Sequence, residues 1–211
     1  MRTEQLIEEL AASRLSTARP QLRIAAAVAC GWLLALAGLL AVLGPPLQEV
    51  EQTGMASFAV KLGYALALIC LSAVAVVAAG RPGSRLARPI ALIAVPFAVL
   101  LLIAALELAT TNAVERPAML FGSSYAACVS SVVLASVPVF FGLLWAYRTL
   151  APTRLALAGF LMGLTAGSAG AAAFALYCHE ATAAFLVTAY TPAMLIPAVV
   201  GAIAARPLLK W

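Results

Sequence analysis

Six apolar stretches, each long enough to cross a bilayer, constrain this chain more than any other feature of its sequence. A membrane-spanning helix needs roughly 17 to 25 predominantly apolar residues. With 64% hydrophobic and 10% charged residues, the chain also lacks the charged surface of a soluble domain. We therefore predict an all-α polytopic membrane protein, a bundle of six transmembrane helices embedded in a lipid bilayer. The predicted spans are about 24–43, 57–79, 90–109, 124–147, 155–177 and 189–205.

Basic residues are concentrated in alternate loops. All but two of the 13 Lys and Arg residues lie in the N-terminal segment, in the second and fourth loops or at the C-terminus, and the exceptions are Lys61 and Arg116. Because short cytoplasmic loops are enriched in Lys and Arg, we expect both termini on the cytoplasmic side of the membrane. The net charge of +5 then reflects topology, and we expect no direct binding of nucleic acid.

Motifs for catalysis are absent from the sequence. The eight acidic residues are all glutamates, and the chain has no Gly-rich phosphate loop, no H-E-x-x-H and no serine elbow. We expect neither an enzyme nor an obligatory cofactor.

Two charged residues fall at the same predicted depth, near the outer ends of their helices. Lys61 lies about one turn into the second span, and Glu107 lies near the end of the third. Two interpretations remain open. The residues form an ion pair, or Lys61 extends to the outer interface while Glu107 lies among the lipid headgroups.

The four cysteines separate by depth. Cys30 and Cys70 lie too deep to reach the outer face, and we expect both to be packing residues. Cys128 and Cys178 instead share a level near the outer surface, on consecutive helices, and His179 adds an imidazole beside them. Thiolate and imidazole suit zinc, cadmium or copper(I), and two thiols also form disulfides in an oxidising compartment. The pair is a metal or oxidant sensor, or it shares a depth by chance.

Small residues recur along one face of the fifth span. Overlapping G-x-x-x-G spacings predict that this face admits a neighbouring helix backbone at close range. The glycines concerned are Gly159, Gly163, Gly167 and Gly170.

The N-terminal segment, residues 1–22, is predicted to be a separate cytoplasmic unit ahead of the membrane domain, residues 23–211. Its apolar residues recur at helical spacing, which predicts a short amphipathic helix. Because its charges include several glutamates, binding to a protein partner is favoured over lying on the membrane or staying disordered. The residues that define this helix are Leu6, Ile7, Glu8, Glu9 and Leu10.

Several short motifs, taken in order, resemble the negative-regulator-of-sigma-F (NrsF-like) family of membrane anti-sigma factors. They are "TEQLIEELA" at the start, "FAVK" at 58–61, "GRPG" at 80–83, the lone Cys128, "LAPTRLALAGFLMGLTAG" at 150–167, "YCHEATAAFLVTAY" at 177–190 and the closing "PLLKW". The chain departs from the family pattern at Ala59 and Ala189, where tryptophan is common, and at His179, where proline often follows the cysteine.

This resemblance implies a bacterial inner-membrane protein that holds an extracytoplasmic-function sigma factor inactive through its cytoplasmic N-terminal segment and releases it under heavy-metal or oxidative stress. It also implies that Cys128 and Cys178 are the sensor, and that the apolar and acidic residues at 6–10 contact the sigma factor. Two rival interpretations remain. One is a small metal or solute transporter or its accessory subunit, and the other is a scaffold without a sensing role. The sequence leaves the oligomeric state open.

Overall fold

A computed structural model describes residues 20–46, 55–81, 83–148, 150, 154–180 and 182–208. The N-terminal residues 1–19, which include the predicted amphipathic helix at 6–10, lie outside these ranges.

Each apolar stretch forms a helix long enough to span a membrane, as predicted. Most helix bounds differ from the predicted ones by a few residues, and the last helix begins six residues earlier than predicted, at Ala183. The helices are α1 (Pro20–Leu43), α2 (Met55–Ala79), α3 (Ala87–Thr110), the short α4 (Arg116–Phe121), α5 (Tyr125–Tyr147), α6 (Leu155–Phe174) and α7 (Ala183–Leu208). Within α7, residues Leu186–Tyr190 form one π-helical turn. The described part of the chain contains no strand, so the all-α prediction is confirmed.

Helix α6 forms the centre of the bundle. Sixteen of its 20 residues are buried, because α1, α2, α5 and α7 all pack against it. Small side chains let neighbouring helices approach closely, and α6 is rich in Gly, Ala, Ser and Thr. Near the middle of its length, the Thr165 hydroxyl donates a 2.8 Å hydrogen bond to the Ser72 hydroxyl of α2.

The glycines of α6 face two different neighbours. A Cβ atom added at Gly159, Gly163 or Gly167 would overlap atoms of α7, whereas one added at Gly170 would overlap the backbone of α5 near Val132. Gly163 is the tightest of these positions, since its neighbours are the backbone atoms of Pro197 and Ala198. The glycine face therefore continues from one helix interface into another.

Helices α1 and α3 lie at the periphery, where most of their side chains are exposed to the surroundings of the bundle. Helix α1 is seated mainly on α5 and touches α2 only sparsely. The expectation that Cys30 and Cys70 are packing residues is wrong, because both are exposed. Cys30 is exposed on α1, whereas Cys70 lines an open groove between α1 and α2.

Candidate functional site

The structure brings Cys128 and Cys178 together at the end of the bundle opposite the arginine-rich loops. Cys128 lies in the first turn of α5 and is fully buried, and Cys178 follows the turn that ends α6 and is 4% exposed. Both are free thiols, and a hydrogen bond joins their side chains. The shared depth inferred from the sequence therefore corresponds to two neighbouring side chains that interact with each other.

Cys178 is the thiol of this pair that is set up to ionise. Its pKa is lowered to about 6, mainly because the Cys128 thiol donates a hydrogen bond to its sulfur. Burial opposes the shift, and the nearby Lys61 ammonium and the backbone N–H of Glu180 support it. A thiolate is the form of cysteine that binds metals and attacks oxidants, and the lowered pKa favours this form at Cys178.

Lys61 supplies the positive charge of the site from the second turn of α2. Its side chain is fully buried, and its Nζ donates a 2.7 Å hydrogen bond to the backbone carbonyl oxygen of Cys178. A buried ammonium is stable only when paired or hydrogen-bonded. Lys61 thus reaches inward to the cysteine pair and not outward to the membrane interface.

Glu107 bonds to backbone N–H groups and not to Lys61. Its Oε2 accepts hydrogen bonds from the backbone N–H groups of Ala183 and Ala184, at 2.8 and 3.2 Å. These groups open α7, where the helix dipole favours a negative charge. The described contacts of Lys61 and Glu107 include no ion pair between them, and both side chains instead fix the segment that carries Cys178.

A third charged residue, Glu180, adds a carboxylate beside Cys178 and His179 in the sequence, and the structure places this carboxylate against the start of α5. Its Oε1 accepts hydrogen bonds from the backbone N–H and the hydroxyl of Ser123, at 2.7 and 3.1 Å. The carboxylate also packs against Gly122, whose φ of +54° favours glycine. Because α5 begins just after Ser123, this contact ties the Cys178 segment to the helix that carries Cys128. The only hint in the sequence was the position of Glu180, two residues after a cysteine.

The π-helical turn in α7 borders the site. Such turns hold one extra residue and often occur at functional sites. Tyr190, the last residue of the turn, is fully buried, and its hydroxyl interacts with the Cys178 sulfur while lacking a well-aligned hydrogen-bond partner among the described residues. Cys128, Lys61 and Tyr190 therefore all act on the Cys178 thiol.

His179 is exposed, unlike the two buried cysteines. Among the described residues, no three His, Cys, Asp or Glu side chains are grouped so that they could hold a metal ion. The cysteine pair by itself offers two adjacent sulfur ligands, which suits a soft metal ion. A ligand set of Cys128, Cys178 and His179 requires the 178–180 segment to rearrange.

Comparison with known proteins places the whole chain in one family. The family model described as negative regulator of sigma F matches residues 10–211. The chain is 36% identical over 215 residues to the probable anti-sigma-F factor NrsF of Azospira oryzae, and 34% identical over 218 residues to the anti-sigma-F factor NrsF of Caulobacter vibrioides. Both alignments cover all of either chain, and no solved structure matches significantly. With this agreement over its full length, the chain belongs to the family of negative regulators of sigma F.

Proposed function

We propose that this protein is a membrane-bound anti-sigma factor that sequesters an extracytoplasmic-function sigma factor through its N-terminal segment. It releases the sigma factor when a soft metal ion or an oxidant reacts with Cys128 and Cys178 on the periplasmic side of the inner membrane. Family membership and the names of both relatives support the anti-sigma activity. The observation that carries the sensor is the contact between two free, buried thiols, one of them with a lowered pKa.

Oxidation replaces the interaction between the two thiols by a disulfide bond, and metal binding replaces it by two metal–sulfur bonds. In oxidation, each thiol gives up one proton and one electron, and the oxidant takes both electrons. The resulting disulfide holds its sulfur atoms about 2.05 Å apart. A soft metal ion would instead take both sulfur atoms as thiolate ligands, and the thiols would release their protons to solvent. Both reactions therefore shift the start of α5 relative to the segment that follows α6.

The packing of α1 offers a route from this shift to the N-terminal segment. Gly31 of α1 lies against the backbone of Val139 in α5, and Gly142 of α5 lies against Ala27 of α1. With backbones this close, a displaced α5 cannot move without moving α1. Helix α1 leads directly from residues 1–19, so its displacement changes the presentation of the sigma-binding residues. A hundredfold release requires about 2.7 kcal/mol of differential stabilisation between the two packings.

Co-purification tests the output of this switch. The detergent-extracted protein is purified with a candidate extracytoplasmic-function sigma factor, either intact or lacking residues 1–19. We expect only the intact protein to retain the sigma factor. Retention by the truncated protein would place the binding surface in the cytoplasmic loops instead.

The cysteines provide a matched test of the input. We expect cadmium, zinc or diamide to release the sigma factor from the wild type and from Cys30→Ser/Cys70→Ser, in which two exposed thiols are removed. Cys128→Ser and Cys178→Ser should retain it.

Among the described residues, Lys61 is the only charged side chain that is buried, so this part of the chain lacks the series of midplane ionisable groups typical of ion transporters. Metal flux into proteoliposomes that contain the protein without residues 1–19 would favour the alternative function, a small metal transporter.

A further inference from the structure

A deep apolar groove separates α1 from α2 in the half of the bundle nearer the arginine-rich loops. Its volume is about 700 Å³. Side chains of α1 and α2 form its walls, and Ala169 of the central helix α6 lies at its floor. Gln21 and Arg81 line one end, and Trp32 lines the groove eleven residues farther along α1. At 1.5 Å per residue this is about 17 Å, close to the depth of one leaflet of the hydrocarbon core, roughly 15 Å.

A basic cavity adjoins the groove at its charged end. It has a volume of about 610 Å³ and lies where α2 leads into α3. Arg81 lines both the cavity and the groove, and Arg85 and Arg154 complete the basic lining. The three glutamates of the described residues, Glu107, Glu115 and Glu180, all lie at the opposite end of the bundle. Within the part of the chain that the structure describes, this cluster of arginines therefore has no carboxylate to neutralise it.

We propose that the groove and the basic cavity together bind one anionic phospholipid. An acyl chain lies between α1 and α2, and the phosphate is held by Arg81, Arg85 and Arg154. Arginine suits a phosphate because its guanidinium donates two parallel hydrogen bonds. A soluble phosphate would satisfy the cavity but not the apolar groove, whereas a zwitterionic lipid would fill the groove but leave the positive charge uncompensated. Bound there, the lipid stabilises the otherwise sparse interface between α1 and α2.

Trp32 gives the site a fluorescent reporter. The chain has three tryptophans, so Trp145→Phe/Trp211→Phe leaves Trp32 alone. This variant is reconstituted into bilayers in which either phosphatidylglycerol or phosphatidylcholine carries brominated acyl chains, which quench indole fluorescence on contact. We expect brominated phosphatidylglycerol to reach half-maximal quenching of Trp32 at about a fivefold lower mole fraction than brominated phosphatidylcholine does. A fivefold difference is the effect expected of about one arginine near an anionic headgroup.

Two control proteins make the result specific. Trp32→Phe/Trp211→Phe leaves Trp145, which is 76% exposed on another face of the bundle, and it should show little preference between the lipids. Arg81→Gln/Arg85→Gln/Arg154→Gln should remove the preference of Trp32, while Arg88→Gln, an exposed arginine outside the cavity lining, should keep it. Ala73→Phe, which fills the groove, should weaken quenching by both lipids. Equal quenching of Trp32 by both lipids in the otherwise unchanged protein, or a preference that survives the triple arginine substitution, would overturn the proposal.

Discussion

The Lys61 ammonium lies 2.7 Å from the backbone carbonyl oxygen of Cys178 and is fully buried. One hydrogen bond to a neutral carbonyl is poor compensation for a buried positive charge. The negative charge of a Cys178 thiolate completes the compensation, and the ammonium in turn favours that thiolate. The charge of Lys61 and the ionisation of Cys178 therefore stabilise each other.

Replacing Lys61 tests this relationship. In Lys61→Met, the thiolate loses its positive neighbour, and we expect the pKa of Cys178 to rise by about one pH unit. Thiolate absorbance near 240 nm reports this pKa. All proteins carry Cys30→Ser/Cys70→Ser, and the absorbance of the additional Cys178→Ser variant is subtracted. Arg116→Gln removes an exposed charge from the same end of the bundle and should leave it unchanged. An unshifted titration in Lys61→Met would show that the thiol hydrogen bond alone sets the pKa.

Stability should depend on pH through the same thiol. The pKa of Cys178 is lowered to about 6 in the folded protein, against about 8.5 for an unperturbed cysteine. A lowered folded-state pKa means that the thiolate contributes its full stabilisation above pH 8.5 and loses it as the pH falls through 6. The Tm advantage of the wild type over Cys178→Ser should therefore grow between pH 6 and 8.5. An advantage that shrinks over this interval would contradict the assigned direction.

Glu180 holds the two halves of the site together. In Glu180→Ala, the backbone N–H of Ser123 loses its acceptor, and the 178–180 segment loses its tie to the start of α5. We expect amide hydrogen exchange at 122–124 and 178–184 to accelerate by up to about tenfold, since the hydrogen bond is charge-assisted but partly solvated. Glu115→Ala removes an exposed glutamate from the same end of the bundle and serves as the control. Unchanged exchange would mean that Lys61 and Glu107 suffice to order the segment.

Glu107 should contribute to stability through the start of α7. Glu107→Leu leaves the N–H groups of Ala183 and Ala184 without their acceptor and removes a negative charge from the positive end of a helix dipole. We expect a loss of about 1–2 kcal/mol in unfolding free energy, measured by denaturant titration in detergent micelles. Glu115→Leu provides the comparison, because the Glu115 side chain makes no hydrogen bond at the start of α4. Equal losses in both variants would assign the effect to general surface charge.

The sequence predicts the bundle well and the site incompletely, for different physical reasons. Spans such as 24–43 follow from the cost of exposing polar groups to lipid, which acts on every residue of a stretch and leaves a strong pattern. The level of Cys128 and Cys178 follows from counting residues along two antiparallel helices. The role of Glu180 depends instead on the φ of Gly122 and on the contact between the loop before α5 and the loop after α6. The spacing of residues in the sequence does not predict that contact.

The periodicity of apolar residues in the sequence also does not show which single residues of a membrane-spanning helix are buried. Cys30 and Cys70 lie in uniformly apolar helices, where the sequence gives no contrast between a face toward protein and a face toward lipid. Lys61 shows the converse, because a lone lysine near a helix end fits an interfacial position as well as a buried one. Which of these is realised depends on the acceptor offered by Cys178, more than a hundred residues away in the chain.

Gly163 provides a direct test of how tightly α6 is enclosed. A Cβ atom there would overlap the carbonyl oxygen of Pro197 and the Cα of Ala198, and backbone atoms cannot rotate away as a flexible side chain does. We therefore expect Gly163→Ala to separate α6 from α7 and to cost roughly 2 kcal/mol or more in unfolding free energy. Gly63→Ala offers a matched control within α2, because no atom lies within 4 Å of a Cβ added there, and alanine should stabilise that helix by about 0.5–1 kcal/mol. Denaturant titrations of both variants in the same detergent compare the two directly, and equal stability would mean that α7 is free to move away from the glycine face.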